Sequence, residues 1–189
     1  MTEFEKMCNG QDFDPSSPDI VSIRDNAYRL KQLINQYPGE APREYLSELL
    51  GSIGEDSFIT PPFLCEFGKT IHIGHHTFLN MGVTMLDNAE IRIGDNVLIG
   101  PNVQFYTPSH SLDYRSRRKW ETFSRPITVE DDVWIGGQVV ICQGVTIGAR
   151  SVVAANSTVT RDVPPDTLVG GSPAKVIRAL LPGEKPSSE

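Results

Sequence analysis

The chain has 189 residues, of which 39% are hydrophobic and 22% are charged. This composition is typical of one folded domain with a small appendage, and it excludes an intrinsically disordered chain. The formal net charge of −7 argues against a protein that binds nucleic acid or an anionic membrane surface.

The cysteines and the first residues of the chain bear on its compartment. Cys8, Cys65 and Cys142 are odd in number and widely spaced, which favours free thiols in a reducing environment over a disulfide framework. The first ten residues, MTEFEKMCNG, lack the apolar core of a signal peptide, and no apolar run approaches the length of a membrane span. We therefore expect a cytoplasmic protein.

Helix signals fill the first 50 residues. Thr2 and Glu5 form a capping box that predicts a short first helix. Ser17, Pro18 and Asp19 then predict an N-cap, a proline at the first helical position and an acidic first turn for a second helix. Spacings of three and four place one apolar stripe on this second helix, made of Ile20, Ile23, Ala27, Leu30 and Ile34. A third short helix is predicted from 42 to 50.

A six-residue rhythm of aliphatic residues starts at about Phe67 and dominates the rest of the chain. Helices have no period of six, whereas a fixed short repeat of this kind is typical of a β-helix. Three hexapeptides make one triangular coil, and each aliphatic side chain that points into the prism contributes ~1.5–3 kcal/mol when buried. The run without any slip consists of Val129, Ile135, Ile141, Ile147, Val153 and Val159. The predicted fold class is therefore an all-β solenoid.

These patterns divide the chain into three parts. Residues 1–55 are predicted to form an N-terminal helical module that packs on the open end of the solenoid, where an uncovered sheet edge would invite aggregation. Residues 56–170 are predicted to form the β-helix with a protruding loop at 107–126. Residues 171–189 are predicted to form a capping tail.

The loop at 107–126, TPSHSLDYRSRRKWETFSRP, interrupts the repeat and is the place where we look for chemistry. Long irregular loops in compact domains are usually functional or disordered. The loop contains one histidine, His110, and imidazole is the natural base for a reaction near neutral pH. The basic run Arg115, Arg117, Arg118 and Lys119 is expected to be a solvated face, with anion binding as the alternative.

Five stretches of the chain resemble the sugar O-acetyltransferases, which are left-handed β-helix proteins with hexapeptide repeats and include the maltose, galactoside and nodulation-type enzymes. The resemblance covers nearly the whole chain. It is carried by EKMCNGQDFDPSSPDI, FLNMGVTMLDNAEIRIGDNVLIGPNV, TPSHSLDYRSR, PITVEDDVWIGGQVVICQGVTIG and VTRDVPPDTLVGGSPAKVIR.

The resemblance implies a homotrimer in which acetyl-CoA lies in a groove between two prisms and its acetyl group passes directly to a sugar hydroxyl. It implies that His110 is the general base that takes the proton of this hydroxyl. The family usually has a proline directly after the histidine, where this chain has Ser111. No catalytic metal is expected.

The resemblance also implies residues that contact the acceptor and the cofactor. The acceptor-binding residues implied are Asp14, Asn80, Asp87 and Trp134. Asn and Asp also favour turns for conformational reasons, so a purely structural role stays open for the first three, as does interface packing for the tryptophan. The acetyl-CoA-binding residues implied are Gly137, Ala155, Thr160, Arg161, Lys175 and Arg178.

The resemblance also implies what two groups of the acetyl-CoA-binding residues do. The backbone N–H near Gly136 and Gly137 is implied as the donor that stabilises the thioester oxygen, and the second glycine replaces a serine that relatives often carry. The resemblance places Arg161 with Ala155 and Thr160 along the groove, and the basic pair Lys175 and Arg178 at the phosphates of coenzyme A, with solvated surface charge as the alternative.

Other functions remain open at this stage. The acceptor could be a chito-oligosaccharide, an amino sugar or a xenobiotic. A γ-type carbonic anhydrase has the same solenoid and binds zinc through three histidines, but no histidine of this chain follows the loop. A trimeric scaffold without enzymatic activity is the third alternative.

Overall fold

The computed structural model describes residues 1–183, so residues 184–189 of the predicted tail lie outside the described residues. The described helices are α1 (Glu3–Cys8), α2 (Pro18–Ile34), α3 (Arg43–Leu49) and α4 (Tyr114–Arg117). The described strands are β1 (Ser52–Ile53), β2 (Phe58–Ile59), β3 (Leu64–Cys65), β4 (Ile71–Ile73), β5 (Phe78–Leu79), β6 (Thr84–Leu86), β7 (Ile91–Ile93), β8 (Leu98–Ile99), β9 (Gln104–Tyr106), β10 (Pro108–His110), β11 (Thr122–Ser124), β12 (Ile127–Val129), β13 (Trp134–Ile135), β14 (Val140–Cys142), β15 (Thr146–Ile147), β16 (Val152–Val153), β17 (Thr158–Val159), β18 (Thr167–Gly170) and β19 (Lys175–Ala179). No helix within residues 1–183 is long and apolar enough to cross a membrane.

The strands form a triangular coil whose three flat sides are parallel sheets. The first sheet has the order β1-β4-β7-β12-β15, the second β2-β5-β8-β13-β16-β18, and the third β3-β6-β9-β14-β17. Strand β19 adds to the second sheet in antiparallel direction. The inward side chains stack in register from coil to coil, as Leu79, Ile99, Ile135 and Val153 do, and all four are buried. The predicted fold, a left-handed parallel β-helix, is confirmed.

The solenoid begins one coil earlier than the six-residue rhythm predicted. Strand β1 already pairs in parallel with β4, and Ile59 and Cys65 of the first coil are buried in the prism. Phe67, with which the predicted rhythm starts, lies outside the prism and packs against Met7 and Ile20 of the helices. Because β1 starts at Ser52, the first solenoid strand falls inside the range predicted for the helical module. The division into three parts stays a prediction.

Helices α1 and α2 begin where the sequence predicts. The capping box of α1 is confirmed, because the N–H of Glu5 donates to the Thr2 hydroxyl at 3.1 Å and the N–H of Thr2 donates to the Glu5 carboxylate at 2.8 Å. Ser17 occupies the N-cap of α2 but does not cap it with its side chain. Its hydroxyl donates instead to Asp19 at 2.6 Å, and the second oxygen of this carboxylate accepts from the N–H of Phe4 in α1 at 3.0 Å.

The helices close the first coil by bonding to its backbone. The Asn35 side chain exchanges two hydrogen bonds with the backbone of Phe63, at 2.8 and 3.0 Å. The Arg43 guanidinium donates to the carbonyl oxygens of Ile53 and Gly54 at 2.7 and 2.9 Å. Backbone groups at the edge of a sheet are open to pairing with another chain, and these bonds satisfy them inside the molecule.

The corners of the coil place residues in the left-handed region of backbone conformation. Asn and Asp enter this region more readily than other non-glycine residues, and they supply most of the corner positions. The corner residues with positive φ, other than glycine, are Asp56, His76, Asn96, Asn102, Asp132, Gln138, Arg150, Asn156 and Asp166.

The outer faces of the first and second sheets differ in character. The first sheet presents the polar series Ser52, His72, Arg92, Thr128 and Thr146. The second sheet presents the apolar series Phe58, Phe78, Leu98, Trp134, Val152 and Leu168. Leu98 and Trp134 are 51% and 52% exposed, so the second sheet leaves a continuous apolar face on the surface of the single chain.

Candidate active site

The loop at 107–126 is an ordered arm. Strands β10 and β11 pair in antiparallel direction, with His110 opposite Thr122. The N–H of Arg125 donates to the carbonyl oxygen of Thr107 at 3.0 Å and closes the base of the arm. At the tip, the guanidinium of Arg117 donates to the carbonyl oxygen of Leu112 at 2.8 Å. The arm therefore holds its histidine in one defined position.

The hydrogen bonds of His110 define the tautomer of its ring. The Nδ1 atom lies 3.1 Å from the carbonyl oxygen of Glu121 and 3.3 Å from the hydroxyl of Thr122. A carbonyl oxygen only accepts hydrogen bonds, so Nδ1 carries the proton. The Thr122 hydroxyl also accepts here, because it donates its own proton to the carbonyl oxygen of Trp120 at 2.8 Å. The exposed Nε2 atom is then the one with the lone pair, which is the state that a general base requires.

Beside His110 lies a cleft of about 430 Å³, which we call the loop cleft. It is bounded by the helical module, by the coil before β4 and by the arm, including the Glu121 and Thr122 groups that hold the imidazole. The cleft is lined by Met7, Asp12, Phe13, Pro15, Ile20, Arg24, Glu66, Phe67, Asn88, Lys119, Trp120, Glu121 and Thr122.

The floor of the loop cleft contains polar groups that the sequence did not single out. Burial, followed by repulsion from Asp87, raises the pKa of the half-buried Glu66 carboxyl. A hydrogen bond from the Asn88 side chain and the charge of Arg24 oppose this rise in pKa. The Oδ1 atom of Asn88 is buried and has no hydrogen-bond partner within residues 1–183. An unpaired buried acceptor is uncommon, and here its residue belongs to the lining of the cleft.

Asp87 does not line this cleft, and its prediction as an acceptor-binding residue is wrong. It is fully buried, and its carboxylate accepts hydrogen bonds from the N–H groups of Glu66, Phe67 and Gly68 at 2.6–3.0 Å. The hydroxyl of Thr70 donates to it at 2.8 Å. The side chain therefore closes the turn between β3 and β4, and no oxygen is left at the surface.

Asp14 also lies outside the lining of the loop cleft. It is exposed, and its Oδ1 accepts from the N–H and the hydroxyl of Ser16 at 2.9 and 2.6 Å. These two bonds lower the pKa of the Asp14 carboxyl. Its neighbours Asp12, Phe13 and Pro15 reach the cleft instead. The arrangement favours the alternative of a local cap for Asp14.

A second concavity, which we call the coil groove, follows the apolar face of the second sheet. Its volume is about 640 Å³, and it brings together four of the predicted site residues, Asn80, Trp134, Gly137 and Ala155. A further depression of about 530 Å³ continues from Trp134 and contains a fifth, Arg178. Thr160, Arg161 and Lys175 are exposed near the same end of the coil.

The backbone of the coil groove carries two N–H groups without an acceptor. The N–H of Gly136 donates to the carbonyl oxygen of Val153 at 2.8 Å and is therefore engaged. Gly137 and Ala155 donate no backbone hydrogen bond within residues 1–183. Of the two glycines implied as the oxyanion donor, the second is the one with a free N–H.

The loop cleft and the coil groove share no lining residue. His110 lines neither concavity, so neither of them contains the histidine together with Trp134 or Gly137. Within residues 1–183, no group of three or more His, Cys, Asp and Glu side chains is placed to hold a metal ion.

A hexapeptide β-helix with a histidine-bearing arm and a groove along one side defines a class of transferases, and comparisons with known proteins agree. Residues 126–161 match the family described as bacterial transferase hexapeptide (six repeats), and residues 6–54 match the maltose acetyltransferase hexapeptide capping motif. The galactoside O-acetyltransferase of Escherichia coli K12 is 39% identical over 80% of this chain and 75% of its own. Nodulation protein L of Rhizobium meliloti is 40% identical over 93% of this chain and 97% of its own.

Solved structures agree with these relatives. A hexapeptide-repeat acetyltransferase of Vibrio cholerae, complexed with acetyl coenzyme A, is 61% identical with a TM-score of 0.90 over 96% of this chain and 100% of that one. A maltose O-acetyltransferase of Clostridium difficile is 36% identical with a TM-score of 0.90 over 96% of this chain and 98% of that one. The chain belongs to the family of hexapeptide-repeat acyltransferases that contains the maltose and galactoside O-acetyltransferases, and it is an acetyltransferase.

Proposed function

We propose that the protein transfers the acetyl group of acetyl-CoA to a hydroxyl of a sugar, with His110 as the general base. The observation that carries this proposal is the hydrogen bonding of the imidazole. Its Nδ1 proton is held by the carbonyl oxygen of Glu121, so its Nε2 lone pair is available beside a cleft whose lining includes Asn88, with one unpaired hydrogen-bond acceptor. A sugar presents hydroxyl donors to such acceptors and a further hydroxyl to the base.

The reaction is a direct transfer. The Nε2 atom of His110 takes the proton of the sugar hydroxyl while the oxygen attacks the thioester carbonyl. The N–H of Gly137 donates to the carbonyl oxygen as negative charge develops on it. The carbon–sulfur bond then breaks, and the leaving thiolate of coenzyme A takes the proton from the imidazolium. The products are the acetylated sugar and free coenzyme A.

The coil groove suits acetyl-CoA in shape and chemistry. Its apolar wall of Leu98, Trp134 and Val152 matches the pantetheine arm, and the N–H group of Ala155 matches a carbonyl oxygen of that arm. The cations at the end of the coil suit the phosphates, as Arg and Lys do elsewhere. The cofactor set proposed is the one implied by the resemblance, Gly137, Ala155, Thr160, Arg161, Lys175 and Arg178. Asn80 and Trp134 stay proposed contacts of the acceptor at the acetyl end of the groove.

We also propose that the active enzyme is a homotrimer with its sites between subunits. The second sheet exposes an apolar face that a partner would cover, and apolar faces of this extent mark interaction sites. The coil groove of one chain does not contain His110, so in this proposal a neighbouring copy brings its histidine to the groove and completes the site. Three unpaired cysteines support a cytoplasmic location as part of the same proposal.

The test is the release of free coenzyme A from acetyl-CoA in the presence of a panel of acceptors. Maltose, glucose and a thiogalactoside represent neutral sugars, glucosamine and chitobiose represent amino sugars, and serine serves as an acceptor that is not a sugar. We expect turnover with at least one sugar above the background hydrolysis. The proposal would be contradicted if serine were the one acceptor of the panel that is acetylated, or if none of the acceptors were acetylated.

Replacing Glu66 by glutamine is expected to weaken sugar binding while it stabilises the fold at neutral pH. The neutral amide is a weaker acceptor for sugar hydroxyls than a carboxylate, so the acceptor KM rises by about threefold to tenfold. The raised pKa of Glu66 means that its buried charge destabilises the folded state above this pKa. The penalty is absent below the ordinary value of 4.5, where the carboxyl is protonated in both states.

Thermal unfolding at several pH values checks the second half of this prediction. The Tm of Glu66→Gln should exceed that of the wild type at pH 7 and converge with it toward pH 4. Glu40→Gln is the matched control, since Glu40 is exposed and lines neither the loop cleft nor the coil groove. A Tm difference that grows as the pH falls would be the opposite of the expected result.

A further inference from the structure

The strained residue of the arm is Trp120. Its φ of 59° lies in the left-handed region, where a bulky side chain is an outlier. The other non-glycine residues with positive φ in the described chain all lie at corners of the solenoid. Trp120 instead lies directly after α4, where the N–H groups of Trp120 and Glu121 donate to the carbonyl oxygens of Arg117 and Ser116 and end the helix in a left-handed residue. A glycine would adopt this conformation without strain.

The backbone around Trp120 is held from both sides. Its N–H donates to the carbonyl oxygen of Arg117 at 3.0 Å, and its carbonyl oxygen accepts from the hydroxyl of Thr122 at 2.8 Å. Strain of this kind persists where the surroundings over-determine the conformation, and it is concentrated at ligand sites. Here the fixed backbone presents an indole that is 81% exposed, at the rim of the loop cleft.

The backbone of Trp120 is connected to the proposed base by hydrogen bonds. Trp120 and His110 are joined through one hydroxyl, because Thr122 donates to the Trp120 carbonyl and accepts from the Nδ1 atom of His110. The polar groups Glu66 and Asn88 line the same cleft. When the hydroxyls of a sugar ring donate hydrogen bonds to these groups, the apolar C–H face of the ring still needs a contact. An aromatic plane suits such a face.

We propose that Trp120 is the stacking platform of the acceptor site, on which a pyranose ring rests while His110 takes its proton. This inference rests on the proposed function and adds an acceptor-binding residue to it. The proposal states that the Trp120 side chain contacts a cyclic acceptor, a sugar ring, and not a linear acceptor such as serine. It also explains why a strained tryptophan occupies a position that glycine would fill without cost.

The experiment compares Trp120→Gly with Trp120→Phe in steady-state kinetics with the best sugar of the panel. The glycine variant keeps the carbonyl that anchors Thr122, so the geometry of His110 is preserved. We expect the acceptor KM to rise by about tenfold, with an unchanged KM for acetyl-CoA and an unchanged pH profile of kcat. The phenylalanine variant should recover most of the loss. The Tm of the glycine variant should equal or exceed that of the wild type, because the backbone strain is relieved.

A fluorescence titration provides a second readout that does not require turnover. The chain has two tryptophans, so Trp134→Phe leaves Trp120 as the reporter. Sugar should change the emission of Trp134→Phe, because its one remaining tryptophan is the proposed platform. An acceptor KM within about twofold of the wild type, or loss of the oligomer in Trp120→Gly, would overturn the platform and assign the residue to packing. Absence of sugar turnover by the wild type would instead overturn the proposed function, and the platform with it.

Discussion

Replacing His110 by alanine is expected to lower kcat for acetyl transfer by about 10²–10⁴-fold, the usual contribution of a general base. The side chain is exposed and bonds only to Glu121 and Thr122 of its own arm, so the fold has little dependence on it. The Tm and the oligomeric state should match the wild type. The KM for acetyl-CoA should change little, because the coil groove contains no part of this histidine.

His72→Ala is the matched control for this experiment. His72 lies on the outer face of the first sheet, where its Nδ1 is 3.0 Å from the Ser52 hydroxyl, and it lines neither the loop cleft nor the coil groove. Its replacement should leave turnover near the wild-type value. Full activity of His110→Ala would refute the assignment of the base, and an equal loss in both variants would indicate a general effect of histidine removal on stability.

Mixing two inactive variants is expected to restore about a quarter of the wild-type activity if the site lies between subunits. One variant, His110→Ala, lacks the base and keeps the coil groove. The other, Ala155→Glu, keeps the base and blocks the groove with a larger charged side chain at an exposed corner. In a random mixture of cyclic trimers, about one interface in four pairs an intact histidine with an intact groove.

Co-refolding the variants from denaturant, followed by native mass spectrometry, establishes that mixed trimers form. Each variant refolded alone serves as the control and should stay inactive. Mixed trimers without any recovered turnover would show that His110 and the groove act within one chain, and a mass other than that of a trimer would contradict the assembly itself.

The β-helix could be predicted from the sequence because its signal repeats. Each hexapeptide places one aliphatic side chain inside the prism. The series from Val129 to Val159 contains six such residues at a constant spacing of six. The predicted six-residue rhythm starts one coil late, at about Phe67, because the signal of the first coil is weaker. Ile53, Ile59 and Cys65 keep the six-residue spacing, but Pro61 and Pro62 interrupt the segment, and the buried Phe67 belongs to the contact with the helices.

The candidate site could be predicted only in part, since its walls come from segments far apart in the sequence. His110 was identifiable from the loop that carries it, whereas Glu66, Asn88 and Trp120 become neighbours only after the coil is wound. The prediction for Asp87 fails because the sequence alone does not show which side chains of this segment point into the prism. Successive side chains along the segment point alternately into the prism and away from it. Val83, Met85 and Asp87 point inward, whereas Asn88 lines the cleft.

The closure of the first coil restricts the assemblies that this chain can build. The side chains of Asn35 and Arg43 occupy the backbone groups at one end of the prism, and antiparallel β19 follows the last parallel strand of the second sheet at the other. These contacts reduce the number of free backbone groups through which two described chains can stack along the prism axis. The proposed trimer is a side-by-side assembly, which closes into a ring, whereas axial stacking would give a filament.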